Sequence, residues 1–428
     1  MDNSAVLAGI IFLITYGLII SEKIHRTIAA MVGGILMILL KIIEQEVALH
    51  HIDFNTLGLL VGMMIIVAIT GETGFFNYIA IWAAKKANAD PVRILVYLAL
   101  ITALFSAFLD NVTTVLLMVP ITFSITNQLH VDSIPYLVTQ IIASNIGGTA
   151  TLIGDPPNIM IGSAVKELTF LSFINNLAVI SAVILVITLA ILTLLYKKHL
   201  KTTETLRQEL MQLDEKVEIK NSCMLKKCLL VLGITISGFF LHQIFHLESA
   251  AIALGGAFLL LVLAGKDHHY VEHALQKVEW TTIFFFIGLF VSVAGLVETG
   301  IIAMLAQKAI AFTGGDLALT SILILWMSAI LSAFLDNIPF VATMIPMIYD
   351  MGNMGLANLE PLWWSLALGA CLGGNGSIIG ASANLIVAGM AAEKGYHISF
   401  IKYLKVGFPV MVISIIIANI YVYFRYLV

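Results

Sequence analysis

The residues able to do chemistry in this chain stand in matched pairs. Ser106-Ala107-Phe108-Leu109-Asp110-Asn111 recurs as Ser332-Ala333-Phe334-Leu335-Asp336-Asn337. Each copy sets a carboxylate and an amide inside a long apolar stretch; Thr113 and Thr114 follow the first, Pro339 the second. Taking a carboxyl out of water disfavours its charged form, so Asp110 or Asp336 could carry a proton or hold a cation. A second pair of segments is rich in Gly, hydroxyls and amides. Gly147-Gly148-Thr149-Ala150-Thr151 leads through Gly154-Asp155-Pro156-Pro157 to Asn158, and its counterpart runs from Gly373-Gly374-Asn375-Gly376-Ser377 through Gly380 to Asn384. Asp-Pro-Pro in the first copy is Ala381-Ser382-Ala383 in the second, so the two halves are chemically unequal. Thr149, Thr151, Asn158, Asn375, Ser377 and Asn384 offer hydrogen bonds to a polar solute, and Asp155 is a third candidate for the coupling ion. Double proline after an acid reads as a helix stop.

The medium that must surround these groups follows from composition. Of 428 residues, 60% are hydrophobic and only 11% charged, with a mean hydropathy of +1.01. A water-soluble protein of this length could not hide that much apolar surface. A soluble enzyme, a disordered chain and a disulfide scaffold are therefore excluded, and the bilayer is the solvent. A net charge of -4 and the lack of a basic run argue against nucleic acid. Cys223, Cys228 and Cys371 lack metal-ligand spacing, and His242 with His246 supplies too few ligands, so no metal or cofactor is expected.

A helix that crosses the hydrocarbon needs about 20 apolar residues. Such runs lie near 5–20, 27–43, 54–84, 172–196, 226–245, 249–264, 280–307 and 405–426. Four more, 93–128, 134–166, 317–350 and 362–391, are broken inside by Gly, Asn, Asp or Pro. One hydrophilic stretch, 197–227, holds eight of the 22 Lys and Arg residues. The paired motifs share one offset, 332 − 106 = 226, which also carries Glu72-Thr73-Gly74 onto Glu298-Thr299-Gly300 and Pro120 onto Pro346. The chain is a duplication, 1–196 and 226–428, joined by the linker 197–225.

Five spans per half, with the stretch around each Asp dipping in and returning, put both termini on one side. With the termini outside and the linker in the cytoplasm, only Lys41, Lys166, Lys308 and Arg425 of the basic residues fall outside. An odd span count turns the second half upside down. The expected fold is therefore an all-α polytopic membrane protein of about ten spans and two re-entrant hairpins, an inverted repeat with a hairpin and a broken helix in each half. The N-terminal run is expected to be retained as a span, and a prokaryotic inner (plasma) membrane suits the compact chain.

Ser106 to Thr114 and Gly148 to Asn158 resemble the ion transporter superfamily, most closely its arsenite-permease and sodium/proton-antiporter group, which includes the melanosomal P protein. The resemblance covers nearly the whole chain. It implies transport elements, 93–171 and 317–391, that move as an elevator against scaffold helices 1–92 and 226–316, followed by a last helix, 405–426. It also implies a half-site of Asn111 and Thr113 with the 149–158 break, and another of Asn337 with Asn375, Ser377 and Asn384. A homodimer through the scaffold would fit the superfamily.

Three cargoes follow. Arsenite or antimonite, as neutral trihydroxides recognised by Asn111, Thr113, Thr149, Asn337 and Asn375, would leave in exchange for protons. Sodium/proton antiport would use the Asp residues for either ion. Sodium-coupled carboxylate uptake is disfavoured, because the tip acids repel an anion and no intramembrane Arg or Lys is evident as a counter-charge. Enzymatic proteolysis is not expected: the repeat itself explains the Asp pair. Plainer roles compete at each position. Asp110 and Asp336 would cap helix arms, Asp155 would fix its turn, Glu72 and Glu298 would mark breaks between scaffold helices, and Trp363 with Trp364 would lie in an interfacial belt.

Overall fold

The computed structural model describes residues 3–21, 23–265 and 268–428, and no strand occurs among them. Element boundaries repeat at the offset of the motifs. Phe54–Glu72 has its mate in Trp280–Glu298, Asn111–Gln128 in Asn337–Asn353, and Pro156–Ala164 in Ser382–Glu393. Eight helices among the described residues are long and apolar enough to cross a membrane. Side chains such as Leu13, Leu39, Val179 and Val262 are roughly 70% exposed or more on their outer faces. This is a multi-pass membrane protein with the inverted-repeat, all-α fold that its sequence implies.

Each hairpin is built by capping. Asp90 accepts from Arg93 N at 2.9 Å ahead of Pro91, which starts the arm Pro91–Leu109. The arm ends at Asp110, whose φ of +75° no helix allows, and the same residue's carboxylate then caps the return arm. In the second half Asp316 starts the arm Leu317–Phe334 and Asp336 caps the arm Asn337–Asn353. Each outgoing arm lies along the first part of its own broken helix, Ile134–Thr149 or Glu360–Gly373. Ser106 Oγ donates to Ser144 O, and Ser332 Oγ to Ala370 O, both at 2.6 Å. Beside these bonds the backbones touch: a Cβ on Gly147 would stand 2.1 Å from Ala103 O, and one on Gly373 2.6 Å from Ala329 O. Gly147→Ala and Gly373→Ala are each expected to cost about 1–3 kcal/mol through overpacking. The check is the melting temperature of the detergent-solubilised protein, which an accommodating site would leave unchanged.

A second set of helices exchanges partners between the halves. Arg26–Leu39 packs on Trp280–Glu298, and Ser249–Ala264 on Phe54–Glu72. The runs read as 54–84 and 280–307 are each two helices. They break at Gly74 (φ +82°) and Gly300 (φ +73°), and the short helices beyond, Phe75–Lys86 and Ile301–Thr313, turn onto the hairpins. The linker is docked, not slack. Lys85 Nζ donates to Leu213 O (2.7 Å) and Glu215 Oε2 (2.6 Å), and Thr202 Oγ1 to Leu129 O (2.6 Å). The Lys85 ammonium holds the Glu215 carboxyl below its usual range. Trp363 and Trp364 correct the interfacial expectation: both are buried, Trp364 edge-on to Phe173 with its Nε1 donating to Glu360 Oε1 at 3.1 Å. An indole needs one polar partner, and here protein supplies it.

Candidate functional site

The two broken helices meet at the centre, and two asparagines hold the breaks open. Where Ile134–Thr149 ends, its last carbonyls have no intrahelical partner. Asn158 Nδ2 reaches back to Gly148 O (3.4 Å), Thr149 O (3.1 Å) and Thr151 O (2.9 Å). Asn384 Nδ2 does the same for Gly374 O (2.7 Å) and Ser377 O (2.9 Å). Pro156 and Pro157 do not stop a helix, as the sequence suggested; they occupy the first positions of Pro156–Ala164, where a missing N–H costs nothing.

The remaining oxygen of each asparagine faces the opposite repeat, and there the symmetry fails. Asn384 Oδ1 accepts from Asn145 Nδ2 at 3.0 Å, while Asn158 Oδ1 accepts from the Cys371 thiol at 3.5 Å. Residues 145 and 371 are themselves related by the offset of 226. Asn145 also donates to Asn375 Oδ1 (2.9 Å) and accepts from Asn111 Nδ2 (3.2 Å), so one side of the centre is a buried cluster of four amides. Asn111 Oδ1 and, on the same helix arm, Thr114 Oγ1 are buried without a hydrogen-bond partner. On the other side Asn337 Nδ2 donates to Asp155 Oδ1 at 3.3 Å, beside Cys371. Asp155 makes no cap, which corrects the turn-fixing expectation, and its Oδ2 is buried with no hydrogen-bond partner.

The tip carboxylates are spoken for. Asp110 accepts from Thr113 N (2.9 Å) and Thr113 Oγ1 (2.6 Å), the capping geometry that the plainer reading anticipates. Asp336 accepts from Ile338 N (3.1 Å), Ser382 Oγ (2.9 Å) and Arg26 Nη1 (2.8 Å). Arg26 overturns the expectation that no basic residue reaches the site. Other hydroxyls considered for cargo binding serve the backbone. Thr149 Oγ1 donates to Asn145 O at 2.7 Å, Thr151 Oγ1 donates to Ala107 O, and Ser377 Oγ accepts from Ile379 N at 3.3 Å.

The centre therefore gathers Asn111, Asn158, Asn337, Asn375, Asn384 and Asp155, and adds Asn145 and Cys371. Asp110 and Thr113 remain in the first tip, and Asp336 turns towards the helix that Arg26 starts. Asn145 left one signal in the sequence, an amide within an apolar helix two residues ahead of Gly147. The offset hid it, because its mate is Cys371. Among the described residues no group of three or more His, Cys, Asp or Glu could hold a metal ion.

Paired hairpin tips and interrupted helices that enclose buried polar groups in an inverted repeat are the architecture of a secondary transporter. The citrate-transporter family pattern, CitMHS, matches residues 16–369, and the chain belongs to that family within the ion transporter superfamily. An uncharacterized transporter of Mycobacterium bovis is 40% identical over 99% of both chains. The human P protein is 36% identical over 96% of this chain and 58% of its own length. Among solved structures the YdaH transporter of Alcanivorax borkumensis, described as having an unusual topology, superposes with a TM-score of 0.59 over 98% of each chain, at 14% identity. That likeness concerns the fold.

Proposed function

We propose that this transporter exchanges protons for a small polar solute, and that its cargo is arsenite or antimonite leaving the cell as a neutral trihydroxide. The observation that carries the reading is the amide cluster of Asn111, Asn145, Asn375 and Asn384, buried and without a free cation, next to a carboxylate with one uncommitted oxygen. Amides recognise hydroxyl groups by donating and accepting at once, and they need no charge on the cargo. A citrate trianion would require basic groups, and Arg26, the cation that reaches a tip, is already paired with Asp336. In this reading residues 93–171 and 317–391 move against 1–92 and 226–316, the linker faces the cytoplasm and both termini lie outside the plasma membrane.

Asp155 Oδ2 favours a second reading, sodium/proton antiport, in which the same carboxylate holds either ion in turn. Proteoliposomes with an internal pH dye and an imposed pH gradient separate the readings. Arsenite and antimonite are expected to drive proton flux while citrate and succinate do not. A response confined to sodium or lithium would replace the first reading by the second, and one confined to citrate would overturn both.

A further inference from the structure

The second tip is held from outside its own bundle. Arg26 stands at the start of Arg26–Leu39, and its guanidinium donates to Asp336 Oδ2 and to Ser382 Oγ, which itself donates to the same carboxylate oxygen. The neighbouring helix Asn3–Ser21 contributes Tyr16, whose OH donates to Pro339 O at 2.6 Å. Two N-terminal helices thus grip both the carboxylate and the backbone of the tip. The guanidinium lies 5.1 Å from the centre of the Phe285 ring and within electrostatic range of Glu279. A cavity of about 370 Å³, lined by Ile24, His25, Arg26, Leu335, Asp336 and Ser382 among others, opens onto this junction.

The first tip has no such grip. The offset carries Arg26 onto Ile252, which has no charge, and Asp110 spends its carboxylate on Thr113 of its own tip. Among the described residues Asp336 is the one tip acid with a basic partner.

We infer that Arg26 is a tethered counter-cation for the second hairpin tip, which competes with a free monovalent cation for Asp336 and so makes cation binding the step that frees the hairpin from the N-terminal helices. The inference rests on the cation coupling proposed above and adds Asp336 as a second carboxylate at which the cation acts. Once a proton or sodium ion neutralises Asp336, the guanidinium loses its partner. By reciprocity, whatever factor Arg26 imposes on cation affinity, the cation imposes on the Arg26 contact. Among the described residues the charged or titratable groups that bear on Asp336 are Arg26 and Tyr16 from the N-terminal helices, His25 in the wall of the same cavity, Asp155 and, through Arg26, Glu279. Arg26 acts through Asp336 and touches no cargo, so it is a positioning residue.

The test reads position directly. Spin labels at Glu46→Cys and Asn353→Cys, both exposed and away from the junction, report the distance between scaffold and second hairpin in full-length protein with Cys223→Ser. One distance is expected at neutral pH without sodium, and a second population on adding sodium or acid. Arg26→Gln and Asp336→Asn should show that second population with no added cation, while Arg26→Lys keeps the first. In flux assays Arg26→Gln should lower the half-saturating cation concentration about tenfold. An unchanged distance in Arg26→Gln overturns the inference while leaving cation coupling intact. If Arg26→Gln shifts the distance but cation leaves the parent protein unmoved, the competition at Asp336 is wrong and the inference falls, while cation coupling at Asp155 is judged separately by cation-driven flux.

Discussion

Asp155→Asn is expected to abolish most coupled transport in a protein that still folds and inserts. The substitution keeps the shape of the side chain and can keep the contact with Asn337, now 3.3 Å from Oδ1. What it removes is the capacity to bind a proton or cation at a carboxyl whose Oδ2 is buried and without a hydrogen-bond partner. Such an atom costs free energy unless something comes to it, and in the proposed mechanism that something is the coupling ion. A hydrogen bond to a charged group contributes about 1.5–3 kcal/mol, so cation affinity should fall about ten- to a hundredfold. Flux against cation concentration in proteoliposomes measures it. Unchanged cation dependence with normal cargo flux would move the coupling role to another carboxylate. Asp110 is a weaker candidate, and Asp336 can take a free cation only in place of Arg26. One is consumed in capping its own arm and the other is shared among Ser382, Arg26 and the Ile338 amide.

How much of this was legible beforehand depends on distance along the chain. The hairpin tips could be read because an Asp-Asn pair that stops one helix and caps the next acts within a few residues, and the offset of 226 repeated the message. The breaks could be read for the same reason, since Asn158 and Asn384 bond to carbonyls no more than ten residues away. Arg26 could not. Its partner lies 310 residues on, and a basic residue at the edge of an apolar run looks like an ordinary loop charge. Trp363 and Trp364 misled in the opposite sense, because belt statistics describe helices that face lipid and Glu360–Gly373 is buried on every side. Thr113, Thr151 and Ser377 were legible as polar groups in apolar surroundings but not as groups already satisfied by nearby backbone or by the tip acid.

Asn145→Ala should have the largest effect on folding of any substitution at the centre. The amide makes three side-chain hydrogen bonds, and two of them reach into the opposite repeat, to Asn375 and Asn384. Truncation leaves Asn375 Oδ1, Asn384 Oδ1 and Asn111 Nδ2 without those partners in a buried centre. Each orphaned group costs about 1–3 kcal/mol, and the cavity left by the side chain adds to that. The melting temperature in detergent should fall sharply, and flux of the proposed cargo should go with it. Asn145→Cys is the sharper comparison, because it writes into the first half the residue that the second half already carries. Cys371 donates to Asn158. A thiol at 145 should therefore preserve the tie to Asn384, give up those to Asn111 and Asn375, and restore only part of the lost stability. Alanine and cysteine variants that both melt with the parent protein would show that the halves are joined elsewhere. If cysteine recovers stability but not flux, then the amide at 145 serves the cargo as well as the fold, and the departure from symmetry at 145 and 371 is what makes the two sides of the centre chemically different.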